Sequence, residues 1–329
     1  MRAVQVPEPG GPEALQFVSL PRPQPGPREL LVKIHATALN RADLLQRRGK
    51  YPAQPDTVQT LGLEMAGEVV ALGPDVVHWE IGDRVMALLS GGGYAEYVTI
   101  HEEMGMRIPD QLTWIEAAAI PEVFLTAFQA LRWLGRLSSG ERVLIHAGGS
   151  GVGTAAIQLA RQFGAEHITV TASQSKHAVC LQLGADRAID YRYQNFADVM
   201  TADHPDGNVD VILDFIGAPY FMDNLRCLRM DGRLVLLAVL GGHRLADMHL
   251  LPLLRRRISV IGSTLRARPL SYKIALSREF TDFSWDRFND GQLQPVIDSV
   301  YDWEKVATAH QRMEANQNTG KIVFRVTNS

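Results

Sequence analysis

The chain has 329 residues, 46% of them hydrophobic, more than one small core takes up; at about 150 residues per domain this predicts two domains and excludes a disordered chain. Its 33 Lys and Arg against 36 Asp and Glu leave a net charge of -3, without the basic excess that phosphate-backbone binding requires, so nucleic acid is not an expected partner. Cys180 and Cys227 are the only cysteines, and the ten histidines include no HExxH pair, which excludes a disulfide framework, a thiolate cluster and that zinc motif. From Met1 to Gly10 the chain meets Pro7 and Glu8 before an apolar stretch of secretory length develops. The apolar run Leu234 to Leu240 is far short of the about 20 residues that cross a bilayer. A soluble, cytoplasmic protein without membrane contact is expected.

In chain order, Arg2 to Val6, Glu29 to Ala36, Glu64 to Ala71 and Arg84 to Ile100, the last broken by Gly91-Gly92-Gly93, read as short strands of a β-rich lobe. Pro21, Pro23, Pro25 and Pro27 read as a connector rather than a Pro-rich ligand. Thr113-Trp114-Ile115-Glu116 is a capping-box pattern that opens an Ala-rich helical stretch. Beyond Gly140 strands and helices alternate: Arg142 to His146 is a strand, a helix runs to Phe163, His167 to Ala172 is a strand, a helix runs to Leu183, and Arg187 to Tyr191 is a strand. Val209 to Ile216, Arg233 to Leu240 and Ile258 to Ser263 add further strands. Such alternation predicts a parallel sheet covered on both faces. Arg255-Arg256-Arg257 reads as a solvated helix end rather than a nucleic-acid patch. From residue 264 the chain turns polar and mixed, and it ends in a strand-like run, Lys321 to Val326, expected to return to the first lobe.

The central signal runs from Val143 to Ala156, where a buried strand passes through the small-residue turn Ala147-Gly148-Gly149-Ser150-Gly151 into an amphipathic helix. A pyrophosphate needs this arrangement, because it must approach the backbone closely and meet free N–H groups at a positive helix end. Gly151, Gly153 and Ala156 satisfy the G-x-G-x-x-A variant; close packing of the turn is the alternative use of such glycines. A hydrolase elbow around Ser150 would need glycine where Val152 stands, so the hydroxyl is read as a phosphate donor. Enzymes that use NAD place an Asp or Glu about 20 residues further on, at the end of the second strand. Here Ile168 to Lys176 holds no carboxylate. Ser173, Ser175 and the cation Lys176 suit a 2'-phosphate instead, so NADP(H) is the expected cofactor, with Lys176 as a merely solvated helix residue the alternative.

With these residues in place the sequence resembles the zinc-free quinone oxidoreductase (zeta-crystallin-like) branch of the medium-chain dehydrogenases/reductases, over essentially the whole chain. Leu39 to Tyr51 is similar to that branch's N-x-x-D-x-x-x-R-x-G-x-Y signature, and Gly62-Leu63-Glu64-Met65-Ala66-Gly67-Glu68-Val69 resembles the superfamily's G-H-E-x-x-G-x-V, with Leu63 where a zinc-binding histidine would stand. The turn His146 to Gly153 resembles that of the stress-inducible quinone oxidoreductase subgroup. The resemblance implies an α/β fold in which a Rossmann doubly wound parallel sheet, residues 123–263, is inserted into a β-rich GroES-like catalytic domain, residues 1–122 and 264–329. It further implies that Asn40 and Tyr51 line a pocket over the nicotinamide and that Thr126 supports the ring. Gly149, Ser150, Gly151 and Val152 would hold the pyrophosphate, and Ala172, Ser173, Lys176 and Tyr191 would surround the 2'-phosphate. Gly217 and Leu240 would sit in the loops framing ribose and carboxamide, and Leu265 in the segment Ser263 to Arg266, where the chain re-enters the catalytic lobe. Ser173 departs from the glycine frequent in close relatives.

Hydride transfer needs neither a covalent intermediate nor a metal if the reacting carbon is aligned with an electron-poor acceptor, and quinones are such acceptors. The implied activity is a metal-free, NADPH-dependent quinone reductase working by hydride or single-electron transfer, with Tyr51 bonding or protonating the carbonyl oxygen and Asn40 fixing ring geometry. An enone or alkenal double-bond reductase is one alternative, and an NADPH-binding sensor or structural protein without turnover is another. The expected partners are a small-molecule quinone and a second copy of the chain in a homodimer paired through the Ile258 to Gly262 edge, with a homotetramer as the alternative.

Overall fold

The structure, a computed structural model, describes residues 1–51, 60–202, 204 and 207–326. The chain divides into two compact units, one made of Met1–Leu125 and Arg266–Ser329, the other of Thr126–Leu265. In chain order the strands are β1 (Arg2–Gln5), β2 (Gln16–Ser19), β3 (Glu29–Leu39), β4 (Glu64–Leu72), β5 (Arg84–Leu88), β6 (Tyr97–His101), β7 (Met106–Arg107), β8 (Arg142–Ile145), β9 (His167–Ala172), β10 (Arg187–Asp190), β11 (Val209–Asp214), β12 (Leu228–Leu236), β13 (Ser259–Gly262), β14 (Ile297–Asp302) and β15 (Lys321–Arg325). The α-helices are α1 (Arg41–Arg47), α2 (Trp114–Ala118), α3 (Pro121–Phe128), α4 (Gly151–Gln162), α5 (His177–Gln182), α6 (Phe196–Thr201), α7 (Ala218–Cys227), α8 (Leu251–Arg256), α9 (Leu270–Asn289) and α10 (Val306–Glu314).

The discontinuous unit is built on a sheet in the order β14-β15-β3-β4-β5-β7, with β6 also paired to β3 and β1-β2 as a separate hairpin. β3 organises it. Its eleven residues pair antiparallel with β4, β6 and β15, and two register shifts against β4 bend the strand. Val32, Ile34 and Leu39 from this strand pack with Met65, Trp303 and Phe324 into one core. The late strand β15 thus lies beside β3, with Ile322 opposite Leu39. At α2, Thr113 Oγ1 accepts from the Glu116 amide while the Glu116 carboxylate accepts from the Thr113 amide, the reciprocal cap its sequence spells. Where the sequence reads as polar and mixed, the unit carries its longest helix, α9, whose buried side chains Leu276, Phe280, Ser284 and Phe288 recur every fourth residue. Serine among them dilutes the apolar stripe.

The continuous unit holds six parallel strands in the order β10-β9-β8-β11-β12-β13. This is the doubly wound 3-2-1-4-5-6 arrangement, with the order reversing between β8 and β11. All the strand carboxyl ends therefore face one edge of the sheet. β11 is buried along its whole length, as a strand covered on both faces must be. β12 begins at Leu228, earlier than the apolar run from Arg233 suggests, and ends at Leu236. The remaining apolar residues, Leu237 to Leu240, leave the sheet for the edge, where the Leu240 amide donates to the Phe215 carbonyl at 3.0 Å. Arg257 takes a left-handed conformation (φ 50°) just beyond α8. Arg256 reaches three carbonyls at residues 225 to 228, and Arg257 pairs with Asp231, so the arginine run ends a helix.

Candidate active site

At the carboxyl edge of the parallel sheet, β8 delivers the chain into the glycine turn. Ser150 is extended (φ -78°, ψ 168°) and its Oγ accepts from the Gly153 amide at 3.1 Å, capping α4. The first-turn amides at Gly151 and Val152 have no carbonyl above them in the helix. A Cβ on Gly153 would lie 2.4 Å from the Ala147 carbonyl oxygen, and one on Gly149 would lie 2.6 Å from Lys176 Cδ. The Lys176 stem thus crosses Gly149, joining the two residues that the sequence places at pyrophosphate and 2'-phosphate. Ala172 ends β9 and is buried, and Ser173 Oγ lies 3.4 Å from Ser175 Oγ. Asp190 sits close to this loop, but its carboxylate accepts the Gln174 and Arg192 amides. Tyr191, 47% exposed, follows β10 directly. Gly217 (φ 84°) opens α7, and Leu240 is 52% exposed on the loop after β12. Leu265 is buried at the end of the unit, and the buried hydroxyl of Thr126 has no hydrogen-bond partner among the described residues.

Behind these loops runs a buried polar chain that the sequence reading missed. His146 Nε2 lies 2.7 Å from Asn224 Oδ1, and its Nδ1 lies 2.9 Å from Thr171 Oγ1. Asn224 Nδ2 donates to Asp214 Oδ2 at 3.0 Å, and Asp214 accepts from the Ile216 and Gly217 amides. Since Asn224 Oδ1 only accepts, Nε2 carries the imidazole proton and Nδ1 accepts from the threonine. Burial pushes the His146 pKa down to about 4, so the ring is neutral and ties the ends of β8, β9 and β11 together. The one sequence signal was a histidine directly after the apolar run Val143 to Ile145.

In the discontinuous unit the signature residues fold into a second buried network. Lys321 Nζ, from β15, donates to Glu64 Oε1 at 2.6 Å, to Asn40 Oδ1 at 2.7 Å and to the Leu39 carbonyl at 3.2 Å. Asn40 Nδ2 donates to Glu64 Oε1 at 2.8 Å, and the other Glu64 oxygen accepts the Glu122 amide at 2.8 Å. Both atoms of the Asn40 amide are therefore held within the protein. Asp43 accepts from the amides of Asn40 and Gly62, which pins the corner between β3 and α1. Leu63, beside Glu64, is a buried apolar side chain. Arg47 is fully buried, with its guanidinium on His310 Nδ1 and Glu314. Burial raises Asp43 to about 6, and burial together with the Glu64 charge raises Glu122 to about 8.

Tyr51 is only partly buried, and its hydroxyl is raised by desolvation and by Glu122. The Arg266 guanidinium carbon lies 4.9 Å from the Tyr51 ring centroid, and Arg266 Nη1 donates to Gln46 Oε1 at 3.1 Å. Asn40 and Tyr51 are thus placed in one unit, at opposite ends of the segment carrying α1. Among the described residues no group of three or more His, Cys, Asp or Glu is arranged to hold a metal ion, and no helix is long and apolar enough to cross a membrane.

Comparison with known proteins places this architecture. Residues 26–110 match the alcohol dehydrogenase GroES-like domain, and residues 151–280 match the zinc-binding dehydrogenase family. The chain is 34% identical to the human synaptic vesicle membrane protein VAT-1 homolog, over 96% of this chain and 84% of that protein. It is 30% identical to human quinone oxidoreductase, over 98% of this chain and 97% of that one. Among solved structures it resembles a mycobacterial protein complexed with NADPH (28% identity, TM-score 0.84, covering 99% and 100% of the two chains). It also resembles the CurK enoyl reductase (28% identity, TM-score 0.88, 99% of each chain). The chain belongs to the zinc-free, zeta-crystallin-like quinone oxidoreductase branch of the medium-chain dehydrogenase/reductase superfamily, and it is an oxidoreductase of that superfamily.

The cofactor implied by this membership is a nicotinamide dinucleotide, and the residues fit it. Gly149 and Gly153 leave no room for a side chain on the turn without a shift of their neighbours, the capped start of α4 presents first-turn amides, and the buried Thr126 hydroxyl has no partner among the described residues.

Proposed function

We propose that the protein is a cytoplasmic NADPH-dependent quinone reductase of the stress-inducible subgroup, acting as a homodimer. The observation that carries the cofactor choice is the Lys176 stem lying across Gly149, at a strand end where Ala172 to Lys176 offers no carboxylate and Asp190 is spent on backbone amides. Gly149, Ser150, Gly151 and Val152 would hold the pyrophosphate; Ala172, Ser173, Lys176 and Tyr191 the 2'-phosphate side; Thr126, Gly217, Leu240 and Leu265 the ribose and nicotinamide side. When bound there, the reduced nicotinamide supplies two electrons and a proton as hydride.

The rest falls to the protein. Tyr51, whose pKa is raised, keeps its proton through neutral pH and offers it as a hydrogen bond to the acceptor's carbonyl oxygen. Asn40, with its amide committed to Glu64 and Lys321, holds the start of the Tyr51-bearing segment in place. The edge strand β13, which carries the exposed Val260, is where a second copy would pair. The likeness to an enoyl reductase supports a second reading, reduction of enones or alkenals by the same geometry.

The test follows NADPH absorbance with chelator-treated protein and an ortho-quinone, with NADH and an enone in parallel. NADPH oxidation well above NADH, with the quinone and undiminished by chelation, is the expected result. Turnover with the enone alone selects the second reading, and turnover with neither overturns both.

A further inference from the structure

Tyr51 does not stand alone. The Arg266 guanidinium covers its ring at 4.9 Å and hydrogen-bonds its hydroxyl, Nη1 reaches Gln46 Oε1, and the buried Nε has no hydrogen-bond partner among the described residues. A buried guanidinium N–H left without an acceptor is costly unless something else supplies one. Two titratable side chains of the same unit lie around it. Glu122 is raised to about 8 by burial and by Glu64, and Lys273 is lowered by burial and by Arg266 itself. At neutral pH the carboxyl is mostly protonated, so Arg266 is left without a full anionic partner beside the Tyr51 phenol. A delocalised cation and a protonated phenol converge there, which is the donor set an oxygen gaining negative charge requires.

We propose that Arg266 is a catalytic residue whose guanidinium, together with the Tyr51 hydroxyl, holds the substrate oxygen on which negative charge develops. This rests on the quinone reductase reading. In that reaction the quinone accepts hydride and becomes the hydroquinone monoanion, the nicotinamide leaves oxidised, and one proton from water completes the hydroquinone. Arg266 stabilises the monoanion by charge and does not lose a proton. A fixed cation also favours acceptors whose reduced form is an oxyanion over those in which charge ends on carbon.

The test compares wild type with Arg266→Met and Arg266→Lys in the full chain, by two readouts. In turnover, Arg266→Met is expected to lose about 100-fold in kcat with the quinone, with cofactor Kd within about twofold and Arg266→Lys intermediate. In a binding assay without cofactor, nitrocatechol is expected to bind wild type as its coloured phenolate at a pH where the free compound is neutral, and to lose that band in Arg266→Met. A kcat for Arg266→Met within about threefold of wild type, or a phenolate band equally strong in both proteins or absent from both, overturns the proposal. Should Arg266→Met fail to fold, Arg266→Lys decides: it should keep the phenolate band, weakened, and lose about tenfold in kcat, and a band and rate both unchanged count against the guanidinium. If wild type reduces no quinone the functional reading falls, while the nitrocatechol arm still decides whether Arg266 holds an oxyanion.

Discussion

Replacing His146 with glutamine tests the buried chain behind the cofactor loops. Glutamine can donate to Asn224 and accept from Thr171 as the neutral imidazole does, yet it has no proton to gain. In the folded protein His146 titrates at about 4, against 6.5 for the free side chain. The unfolded chain therefore binds the proton first as pH falls, so this group's stability is intact above pH 6.5 and is lost progressively down to pH 4. Between pH 7 and pH 4.5 the loss is about 2.5 kcal/mol, at about 1.4 kcal/mol per pKa unit. Urea unfolding of both proteins at the two pH values isolates the term, because other titrating groups cancel in the difference. His146→Gln is expected to lie within about 1 kcal/mol of wild type at pH 7 and to gain on it by about 2.5 kcal/mol at pH 4.5. Parallel pH profiles would refute the assignment of His146 as a buried neutral strut.

Glu64→Gln should lower stability by about 3 kcal/mol, because it leaves the buried Lys321 ammonium without its counter-charge; a double variant with Lys321→Met should recover most of that in thermal melts. Gly149→Ala brings its Cβ to 2.6 Å from Lys176 Cδ and 2.9 Å from Lys176 Cβ, so Lys176 must shift; it should cost about 1 kcal/mol in urea unfolding and raise the KM for NADPH about tenfold more than that for NADH, as parallel kinetics would reveal. Gly153→Ala meets the Ala147 carbonyl instead, so it should destabilise the protein by about 2 kcal/mol and weaken both cofactors alike in fluorescence titrations. Thr113→Ala removes the α2 cap and should cost about 1 kcal/mol in urea unfolding, with kinetics unchanged.

The parts of the fold that repeat a local rule were legible in the sequence. His167–Ala172 forms a strand over the residues its apolar run marks, and Thr113 and Glu116 cap a helix. Alternating strands and helices also announced the parallel sheet, though not the β10-β9-β8-β11-β12-β13 order of its strands. What escaped depended on partners distant in sequence. α9 is set by Phe124, from another segment, packing on Phe280 and Phe288, and serines at two buried positions hide its period. Asn40 and Tyr51 were legible as a motif, but nothing within residues 40–51 announces that Lys321, hundreds of residues later, occupies the Asn40 amide. The His146 chain was illegible for the same reason, since Thr171 and Asn224 lie 25 and 78 residues away.

The place of β15 beside β3 bears on the order in which the chain can fold. Residues 126–265 are contiguous and can close their sheet as soon as they leave the ribosome. The central strand β3 emerges first among the large sheet's members, yet its neighbour β15 and the ammonium that neutralises Glu64 come 282 and 257 residues later. Until then the Ala36 to Leu39 end of β3, which leads into Asn40, and a carboxylate at the heart of its lobe stand unmatched. The earliest-made segment is therefore the last to finish, and during synthesis it is the one with most to gain from a chaperone.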